Sequence, residues 1–375
     1  MTTTSTQQIA WQRLVNQRLL RTQCTTAEDV VSWLGAVQAQ DYPGAKWGIG
    51  QRMTRATDEA LDRAFDEGRI LRTHVMRPTW HFVAAADIRW MQALTSPRVN
   101  SINGSYYRRN ELNDRVFTRV RTILERSLRD HAYLTRAQIA TELQKARITC
   151  NPLKLSLIVM RAEVDAVICS GPKRGKQFTY ALVEERAPQA KALTHDEALA
   201  TLTSRYFASH GPATIRDYVW WSGLTVRDAK AGVAMVGSTL EEMSLDGLTY
   251  FFRPSKALRP PTTPQVRLVP TYDESLIAYK DRGIALDAVG MAKRPAAMVD
   301  VMDPYAAYLT IDGRLRGTWR RTFVADGIEV NVRPFVTLTP PQRRALEAEV
   351  DRYARFMNQR VALSIATASR LSSRA

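Results

Sequence analysis

The sequence is poor in cysteine, in histidine and in long apolar runs, and each shortage argues against a class of protein. Three cysteines, Cys24, Cys150 and Cys169, lie far apart in 375 residues. This spacing indicates neither a disulfide framework nor a zinc cluster, and it predicts a reducing compartment. The five histidines stand at no metal-ligand spacing, and there is no GxSxG elbow. A serine hydrolase is therefore a weak interpretation, and no metal or other cofactor is expected.

No stretch of the sequence approaches the apolar length that a membrane span requires. The first residues, MTTTSTQQIAWQR, also lack the basic region and apolar core of a secretory signal. We therefore expect a cytoplasmic protein without a membrane partner.

Positive charge is what the sequence has in excess. Its 53 Lys+Arg against 37 Asp+Glu give a net charge of +16 and a pI near 10.0. With 45% hydrophobic and 24% charged residues, the chain is predicted to be globular and long enough for several modules. A soluble protein with this imbalance most often has a polyanionic partner, and nucleic acid is the leading candidate.

Short helices followed by a hairpin recur along the chain, and this pattern predicts an α+β fold built from tandem winged-helix units. The predicted units span residues 1–110, 111–190 and 191–258. The first is closed by strands Ile70 to Met76 and Trp80 to Ala84. The third is closed around Asp246-Gly247, a dipeptide that a tight two-residue turn prefers.

Composition changes at residues 253–264, where RPSKALRPPTTP predicts a linker. The residues that follow, as a unit of residues 259–375, are rich in strand patterns. They are expected to form a small β-barrel or a curved sheet, with Pro340 to Ala354 as a closing helix.

Two amides stand two residues apart in the QAQ triplet of Gln38, Ala39 and Gln40. The triplet is predicted to lie at the end of an amphipathic helix, because Pro43 and Gly44 oppose its continuation. Amides offer donors and acceptors without charge, which suits holding a water or a polar ligand rather than acting as a general base. For an isolated QxQ, ordinary capping and loop hydrogen bonding is the commoner explanation.

Basic side chains at two predicted hairpin turns are candidate DNA contacts. Arg77 lies at the first turn, where an arginine readily meets a phosphate. Lys173, Arg174 and Lys176 lie in the glycine-rich turn GPKRGK of the second unit. Such a turn suits phosphate contact in a groove, although a solvated turn has the same composition.

Other candidates lie on predicted strands and one predicted helix. Arg316, Trp319, Arg320 and Arg321 interleave basic side chains with an aromatic, which suits backbone contact and stacking, or else places the arginines in solvent. His81 is a candidate DNA contact near the QAQ triplet, or a satisfied structural residue. Of the adjacent Trp220 and Trp221, one is predicted to fill the local core and base stacking by the other is the minority interpretation.

Four motifs occur in order along the chain: QAQD after a helix, RTHVMRPTWHFV as a hairpin, VRLVPTYDESLIAYKDR and GRLRGTWRR. Together they resemble the winged-helix DNA glycosylases that act on alkylated DNA and interstrand crosslinks, the bacterial AlkZ-like and YcaQ-like proteins. The resemblance spans nearly the whole chain. The family's signature is a glutamine, an apolar residue and a second glutamine or an aspartate. Gln38, Ala39 and Gln40 match the double-glutamine form, so the resemblance implies that Gln38 and Gln40 are catalytic.

The resemblance implies a monofunctional DNA glycosylase that hydrolyses the N-glycosidic bond of cationic N7- or N3-alkylated purines. It also implies unhooking of interstrand crosslinks, in DNA repair or in self-resistance to a genotoxin. The expected partner is double-stranded DNA, bound by a monomer at the nucleoid. The alternative is a non-enzymatic winged-helix DNA-binding protein, a regulator or an architectural protein, because the same fold elements serve both functions.

Overall fold

The computed structural model describes residues 5–20, 22–254, 261–286 and 306–367. Helices and small sheets alternate along these residues, so the fold is mixed α+β, as predicted. The helices are α1 (Thr6–Asn16), α2 (Ala27–Leu34), α3 (Tyr42–Gly50), α4 (Asp58–Asp66), α5 (Ile88–Arg109), α6 (Asp114–Leu128), α7 (Arg136–Lys145), α8 (Pro152–Val164), α9 (Val183–Arg186), α10 (His195–Ser209), α11 (Ile215–Ser222), α12 (Val226–Val236), α13 (Glu274–Ile277), α14 (Gly283–Leu286) and α15 (Pro340–Met357).

The strands form small sheets, each with its own neighbours. They are β1 (Val37–Gln38), β2 (Ile70–Val75), β3 (Arg77–Ala84), β4 (Leu134–Thr135), β5 (Ile168–Ser170), β6 (Thr179–Leu182), β7 (Glu241–Leu245), β8 (Leu248–Phe252), β9 (Val266–Val269), β10 (Ala307–Ile311), β11 (Arg314–Val324), β12 (Gly327–Pro334) and β13 (Val361–Ile365). No described helix is both long and apolar enough to cross a membrane.

The first sheet has the strand order β1-β3-β2. The predicted hairpin is confirmed, with a tighter connection than expected: Met76, at φ 63, makes the turn between β2 and β3. On the other side of β3, Val37 pairs with Phe82 and Gln38 pairs with His81, antiparallel. The QAQ triplet therefore begins on the edge strand of this sheet.

Two expectations about this stretch are wrong. The triplet does not lie at a helix end, because α2 stops at Gly35, whose φ of 83 turns the chain into β1. Pro43 does not prevent a helix either. It occupies the first turn of α3, where its missing N–H costs no hydrogen bond and its fixed φ suits the helix.

The predicted second and third units, residues 111–190 and 191–258, each contain helices followed by a sheet. Asn113, Thr135 and Asn151 cap α6, α7 and α8 by accepting backbone N–H groups. Their sheet has the order β4-β6-β5. In the third unit, β7 and β8 pair through Asp246-Gly247 with positive φ at both residues, so the predicted two-residue turn is confirmed.

The C-terminal strands form one five-stranded sheet with the order β13-β12-β11-β10-β9. Within the described ranges this sheet is open, so the barrel alternative is wrong, and β13 is a parallel strand that the sequence pattern did not predict. The closing helix is confirmed as α15. Of the predicted linker 253–264, residues 255–260 lie outside the described residues.

The hydrophobic core shows which segments pack together. Residues of the first unit, such as Trp47, share one cluster with the C-terminal sheet and α15, including Tyr353. The other face of the first hairpin shares another cluster with the third unit, including Trp221, and with Cys169, Val183 and Ala187 of the second unit. Most other buried apolar side chains of the second unit form a separate cluster. The first unit is therefore the part of the described chain on which both later segments pack.

Candidate active site

Gln38 lies on the edge strand β1, and its backbone N–H is hydrogen-bonded to a side chain from a distant segment. Ala39 N–H donates to the carbonyl of Trp80 at 2.7 Å, towards β3. Successive N–H groups of a strand point to opposite sides, so the N–H of Gln38 points away from β3. It donates to Oε1 of Glu274 at 2.8 Å.

The side chain of Gln38 is oriented by an arginine. Arg77 Nη2 donates to Gln38 Oε1 at 2.9 Å. Since a guanidinium has no acceptor, the Gln38 atom that faces it must be the amide oxygen. Gln38 is only 6% exposed, and burial lowers the pKa of Arg77 while the carboxylate of Glu274 opposes that shift.

The rest of the triplet is held by the hairpin. Arg72 Nε donates to the carbonyl of Ala39 at 3.0 Å, and its guanidinium lies 4.3 Å from the ring centroid of Trp80. Gln40 is exposed, and its Oε1 accepts a long hydrogen bond of 3.4 Å from Trp80 N–H. His74 lies on β2, opposite Trp80, and contacts the carboxylate of Glu163 in α8.

Behind the triplet lies a set of buried polar groups. Glu274 Oε2 accepts from Trp221 Nε1 at 2.9 Å, and His210 Nε2 lies 3.5 Å from the same oxygen. Asp273 pairs with Arg52 through two hydrogen bonds of 2.9 and 3.0 Å. Burial lowers the pKa of His210, so this ring is neutral at pH 7. Trp221 is 0% exposed, which confirms that one of the adjacent tryptophans fills the core.

Both amides therefore turn their oxygens towards internal donors. In the described residues, neither Gln38 Nε2 nor Gln40 Nε2 makes a protein hydrogen bond. Each oxygen also keeps a second lone pair, because an amide carbonyl can accept twice. Two amides arranged in this way can hold a water molecule or a polar ligand by donation and acceptance together.

Two of the predicted DNA contacts lie in the protein interior. His81 is 0% exposed, its Nδ1 lies 3.0 Å from the carbonyl of Thr79, and burial lowers its pKa well below the ordinary value. Trp319 is 3% exposed and its Nε1 donates to the carbonyl of Val269. The interpretation of both as DNA contacts is corrected, because a side chain without exposed surface cannot reach a duplex on the outside.

Arg77, the predicted phosphate contact at the hairpin turn, is half-buried, and its Nη2 donates to Gln38. Its immediate role in the structure is to orient an amide. A contact of Arg77 with DNA stays a prediction.

The three basic side chains in the turn of the second unit differ in their exposure. Lys173 Nζ pairs with Asp62 at 2.7 Å, which fastens the turn to α4 of the first unit. Arg174 is exposed, although its Nη2 also donates to the carbonyl of Tyr133 at 2.9 Å. Lys176 is exposed as well. Two of the three basic side chains thus present surface to a ligand.

The arginines of β11 follow the alternation of the strand. Arg316 is half-buried, Arg320 is exposed, and Arg321 is half-buried with its Nη1 donating to the hydroxyl of Tyr353 at 2.8 Å. The sheet therefore turns Trp319 inward and leaves Arg320 on the outside.

Lys46, the lysine closest to the triplet in sequence, is neutralised by carboxylates. Its Nζ lies 2.7 Å from Asp58 and 2.9 Å from Asp62, and the side chain is 5% exposed. In the described part of the chain, no group of three or more His, Cys, Asp or Glu side chains is arranged to hold a metal ion.

Sequence reasoning missed the residues that hold the amides, namely Arg72, Trp80 and Glu274. Arg72 and Trp80 belong to the hairpin motif, and Glu274 belongs to the TYDES stretch. Neither motif by itself indicates a contact with the amides. An acidic pair in an otherwise apolar stretch was the available signal for Glu274. Its partner Gln38 lies 236 positions away, a distance that no local pattern spans.

Comparisons with known proteins identify the family. The model of the family described as "DNA glycosylase AlkZ-like" matches residues 31–356. An interstrand DNA cross-link repair glycosylase from Streptomyces sahachiroi is 24% identical over 363 residues, covering 93% of this chain and 95% of that protein. The solved structure of the Streptomyces sahachiroi DNA glycosylase AlkZ matches 97% of this chain and 100% of its own, with a TM-score of 0.80 at 22% identity.

Proposed function

The chain belongs to the AlkZ-like family of DNA glycosylases, and we propose that it hydrolyses the N-glycosidic bond of cationic N7- or N3-alkylated purines. Family membership favours an enzyme over the non-enzymatic regulator or architectural protein. The observation that carries the proposed site is the pair of amides, Gln38 and Gln40, with both oxygens held and both nitrogens open.

The proposed reaction requires the protein mainly to position a water molecule. Alkylation at N7 or N3 leaves a cationic purine, which is already a good leaving group, so a strong general acid is not required. A water held between Gln38 and Gln40 can attack the anomeric carbon of the sugar while the glycosidic bond breaks. The purine leaves as a neutral base with the electrons of that bond, and the proton lost by the water passes to solvent. Arg77 fixes the dipole of the Gln38 amide before the reaction, so this dipole stabilises the developing oxocarbenium ion without further reorganisation, whereas Gln40 adjusts to the substrate.

The proposed reaction is monofunctional hydrolysis. An amide cannot form a Schiff base, and the amine of Lys46 is paired with Asp58 and Asp62. The product would be an intact strand with an abasic site. No step of this route needs a Lewis acid, because the leaving group carries its own positive charge.

We propose that DNA lies against the basic surface of tandem winged-helix units. These units are residues 1–110, 111–190 and 191–258, with residues 259–375 as a fourth segment. The net charge of +16 supports this arrangement. The proposed DNA contacts are the exposed Arg174, Lys176 and Arg320 and the half-buried Arg316 and Arg321. Lys173 holds the turn in place through its ion pair with Asp62. The protein would act as a monomer, in the cytoplasm at the nucleoid.

Crosslinked DNA is included in the proposal because the Streptomyces sahachiroi relative is named as an interstrand cross-link repair glycosylase. A crosslink made through purine N7 or N3 joins two cationic bases, and hydrolysis of one glycosidic bond would unhook it. The same amide pair would therefore serve both lesion types, in repair or in self-resistance.

The proposal is tested by presenting the purified protein with duplexes that carry N7-methylguanine, N3-methyladenine or an interstrand crosslink. We expect release of free base and an alkali-sensitive abasic site, with no strand cleavage before alkali treatment, and the same rate in EDTA. Tight binding of all three duplexes without base release would overturn the proposed substrates. Strand cleavage without alkali by nuclease-free protein would overturn the monofunctional assignment.

A further inference from the structure

The open edge of β1 is closed by a carboxylate rather than by a strand. β1 lies at the end of the order β1-β3-β2, and the N–H of Gln38 faces outward from that sheet. Glu274 Oε1 accepts this N–H at 2.8 Å, from a segment 236 positions away. A hydrogen bond to a charged acceptor is about twice as strong as a neutral one. The backbone of Gln38 is therefore fixed from the side that β3 does not reach.

Glu274 is itself immobilised. It is 1% exposed, and its second oxygen accepts from Trp221 Nε1 at 2.9 Å. The residue before it, Asp273, is bound by both oxygens to Arg52. A buried carboxylate with a separate donor on each oxygen cannot turn without leaving one donor unsatisfied.

Opposite charges lie on the two sides of Gln38. Arg77 donates to its side-chain oxygen, and Glu274 accepts from its backbone nitrogen. The arginine sets the rotation of the amide, whereas the glutamate sets the position of the Cα from which the amide extends. Both are needed if the open Nε2 is to keep one direction in space.

We propose that Glu274 is a positioning residue for the glycosylase reaction, which acts by holding the backbone of Gln38 on the edge of β1. The inference rests on the proposed function, in which Gln38 contacts the attacking water. Glu274 touches neither the water nor the DNA, so its effect on the rate passes through Gln38. Loss of this hold lowers the rate of bond cleavage and leaves DNA affinity unchanged, because misplaced positioning groups affect the reacting geometry first.

Glu274→Gln is the first test because the two side chains have nearly the same shape. Gln38 N–H and Trp221 Nε1 donate to different oxygens of the carboxylate, so a glutamine in the same place puts its oxygen at one donor and its NH2 group against the other. We expect the single-turnover rate of N7-methylguanine release to fall about 10-fold or more while the dissociation constant for the duplex stays the same. An unchanged rate would overturn the inference, as would a loss confined to DNA affinity.

A second substitution distinguishes positioning from general loss of structure. Trp221→Phe removes the competing donor, which allows a glutamine at position 274 to turn its oxygen to Gln38 N–H. We expect the rate penalty of Glu274→Gln to be smaller in the Trp221→Phe background than in the wild type. A purely structural role would give an equal or larger penalty, because the double variant lacks more contacts. Where Glu274→Gln alone melts too low to assay, Glu274→Gln and Glu274→Ala are compared in the Trp221→Phe background, since only glutamine supplies an acceptor.

Glu349→Gln is the matched control. Glu349 is also a buried carboxylate, 4% exposed, and accepts from Gln51 Nε2 at 2.7 Å, but it has no contact with the triplet. It should lower the melting temperature without lowering the excision rate of the folded protein; an equal rate loss would overturn the inference. Gln38→Ala separates the two proposals. If it excises at full rate, the proposed function and this inference both fail, whereas an inactive Gln38→Ala beside a fully active Glu274→Gln defeats this inference alone.

Discussion

Gln38 and Gln40 carry the same amide in different surroundings. Gln38 is 6% exposed and is oriented by a charged donor at 2.9 Å. Gln40 is exposed, and its only protein hydrogen bond in the described residues is a long one of 3.4 Å. Gln38 is thus set in place before DNA arrives, whereas Gln40 can adjust to the substrate. Both amides can therefore bind the same water molecule while contributing unequally to the excision rate.

Single substitutions test this sharing. We expect Gln38→Ala and Gln40→Ala each to lower the single-turnover rate about 10-fold or more, with the larger loss at Gln38, while DNA affinity stays nearly constant. The double variant should lose less than the product of the two losses, because both groups act on one water. Rates are measured on an N7-methylguanine duplex, and affinities are measured on undamaged DNA.

The control for this cycle is Gln51→Ala. Gln51 is a buried glutamine, 0% exposed, that bonds Glu349 and lies outside the site. It should lower the melting temperature while the folded protein excises at full rate. If the two site variants melt like the wild type and also excise at full rate, the amides are structural and the proposed site is wrong.

The hairpin of β2 and β3 is the element that organises the site, because it supplies Arg72, Arg77 and Trp80. Its turn at Met76 packs against the C-terminus of α11 in the third unit. Gly223 caps α11 at φ 71, and a Cβ there would lie 2.1 Å from the carbonyl oxygen of Met76. Only glycine combines this backbone conformation with so close an approach. The third unit therefore supports the turn next to Arg77.

Gly223→Ala should displace that turn. We expect a lower melting temperature and a lower excision rate together, because the neighbouring Arg77 loses its fixed distance to Gln38. Thermal melting and single-turnover excision at a temperature below the melting transition measure the two effects separately.

Gly237→Ala is the matched control for the hairpin. Gly237 has φ −50, and a Cβ there would meet no atom within 4 Å. It should melt at the wild-type temperature or slightly higher, because alanine restricts the unfolded chain. If Gly223→Ala behaves like Gly237→Ala, the turn does not depend on α11.

The elements that sequence predicted well are those with a local signal. The β2–β3 hairpin follows from the strand pattern, and helices α4 and α7 begin directly behind the capping residues Thr57 and Thr135. β1 has two residues, too few to show a period, and it exists because β3 offers an edge. Pro43 was ambiguous for a similar reason, since proline both ends helices and begins them.

The residues of the site also differ in whether a local sequence pattern predicts them. Gln38 and Gln40 were selected through their spacing and the family resemblance, and their assignment remains a proposal. His81 and Trp319 were misplaced because alternation along a strand does not say which face is buried until the packing partner is known. The supporting contacts of Arg72 and Glu274 arise only when distant segments meet.

At the scale of the whole molecule, buried polar groups join the segments that the core brings together. Arg52 of the first unit pairs with Asp273 and also donates to Gln17 near α1. His210 of the third unit lies beside Glu274. Such a network is stable only while its charges and protons match, so the stability of the fold should depend on pH.

Two of the buried histidines, His81 and His210, contribute to that dependence. Burial lowers the pKa of His81 well below, and that of His210 below, the ordinary value of 6.5. In the unfolded chain both rings take up a proton as the pH falls through about 6.5, whereas in the folded protein they stay neutral. Protonation therefore favours the unfolded state, and the stabilising contribution present above pH 6.5 is lost as the pH falls below it. The buried Asp273 has a lowered pKa, from an ordinary value of 3.8, so its contribution is lost only in more acidic solution.

We expect the melting temperature to fall between pH 7.5 and pH 5.5, with a limiting slope of about 1.4 kcal/mol of unfolding free energy per pH unit for each histidine. His81→Asn should reduce this slope, because an asparagine amide can still donate to the carbonyl of Thr79 but does not titrate. His195→Asn is the matched control, since His195 is exposed and has the same side chain. A melting temperature that does not change over this range would contradict the argument. So would equal slopes in the wild type and His81→Asn, because the protons taken up on unfolding would then come from groups other than His81.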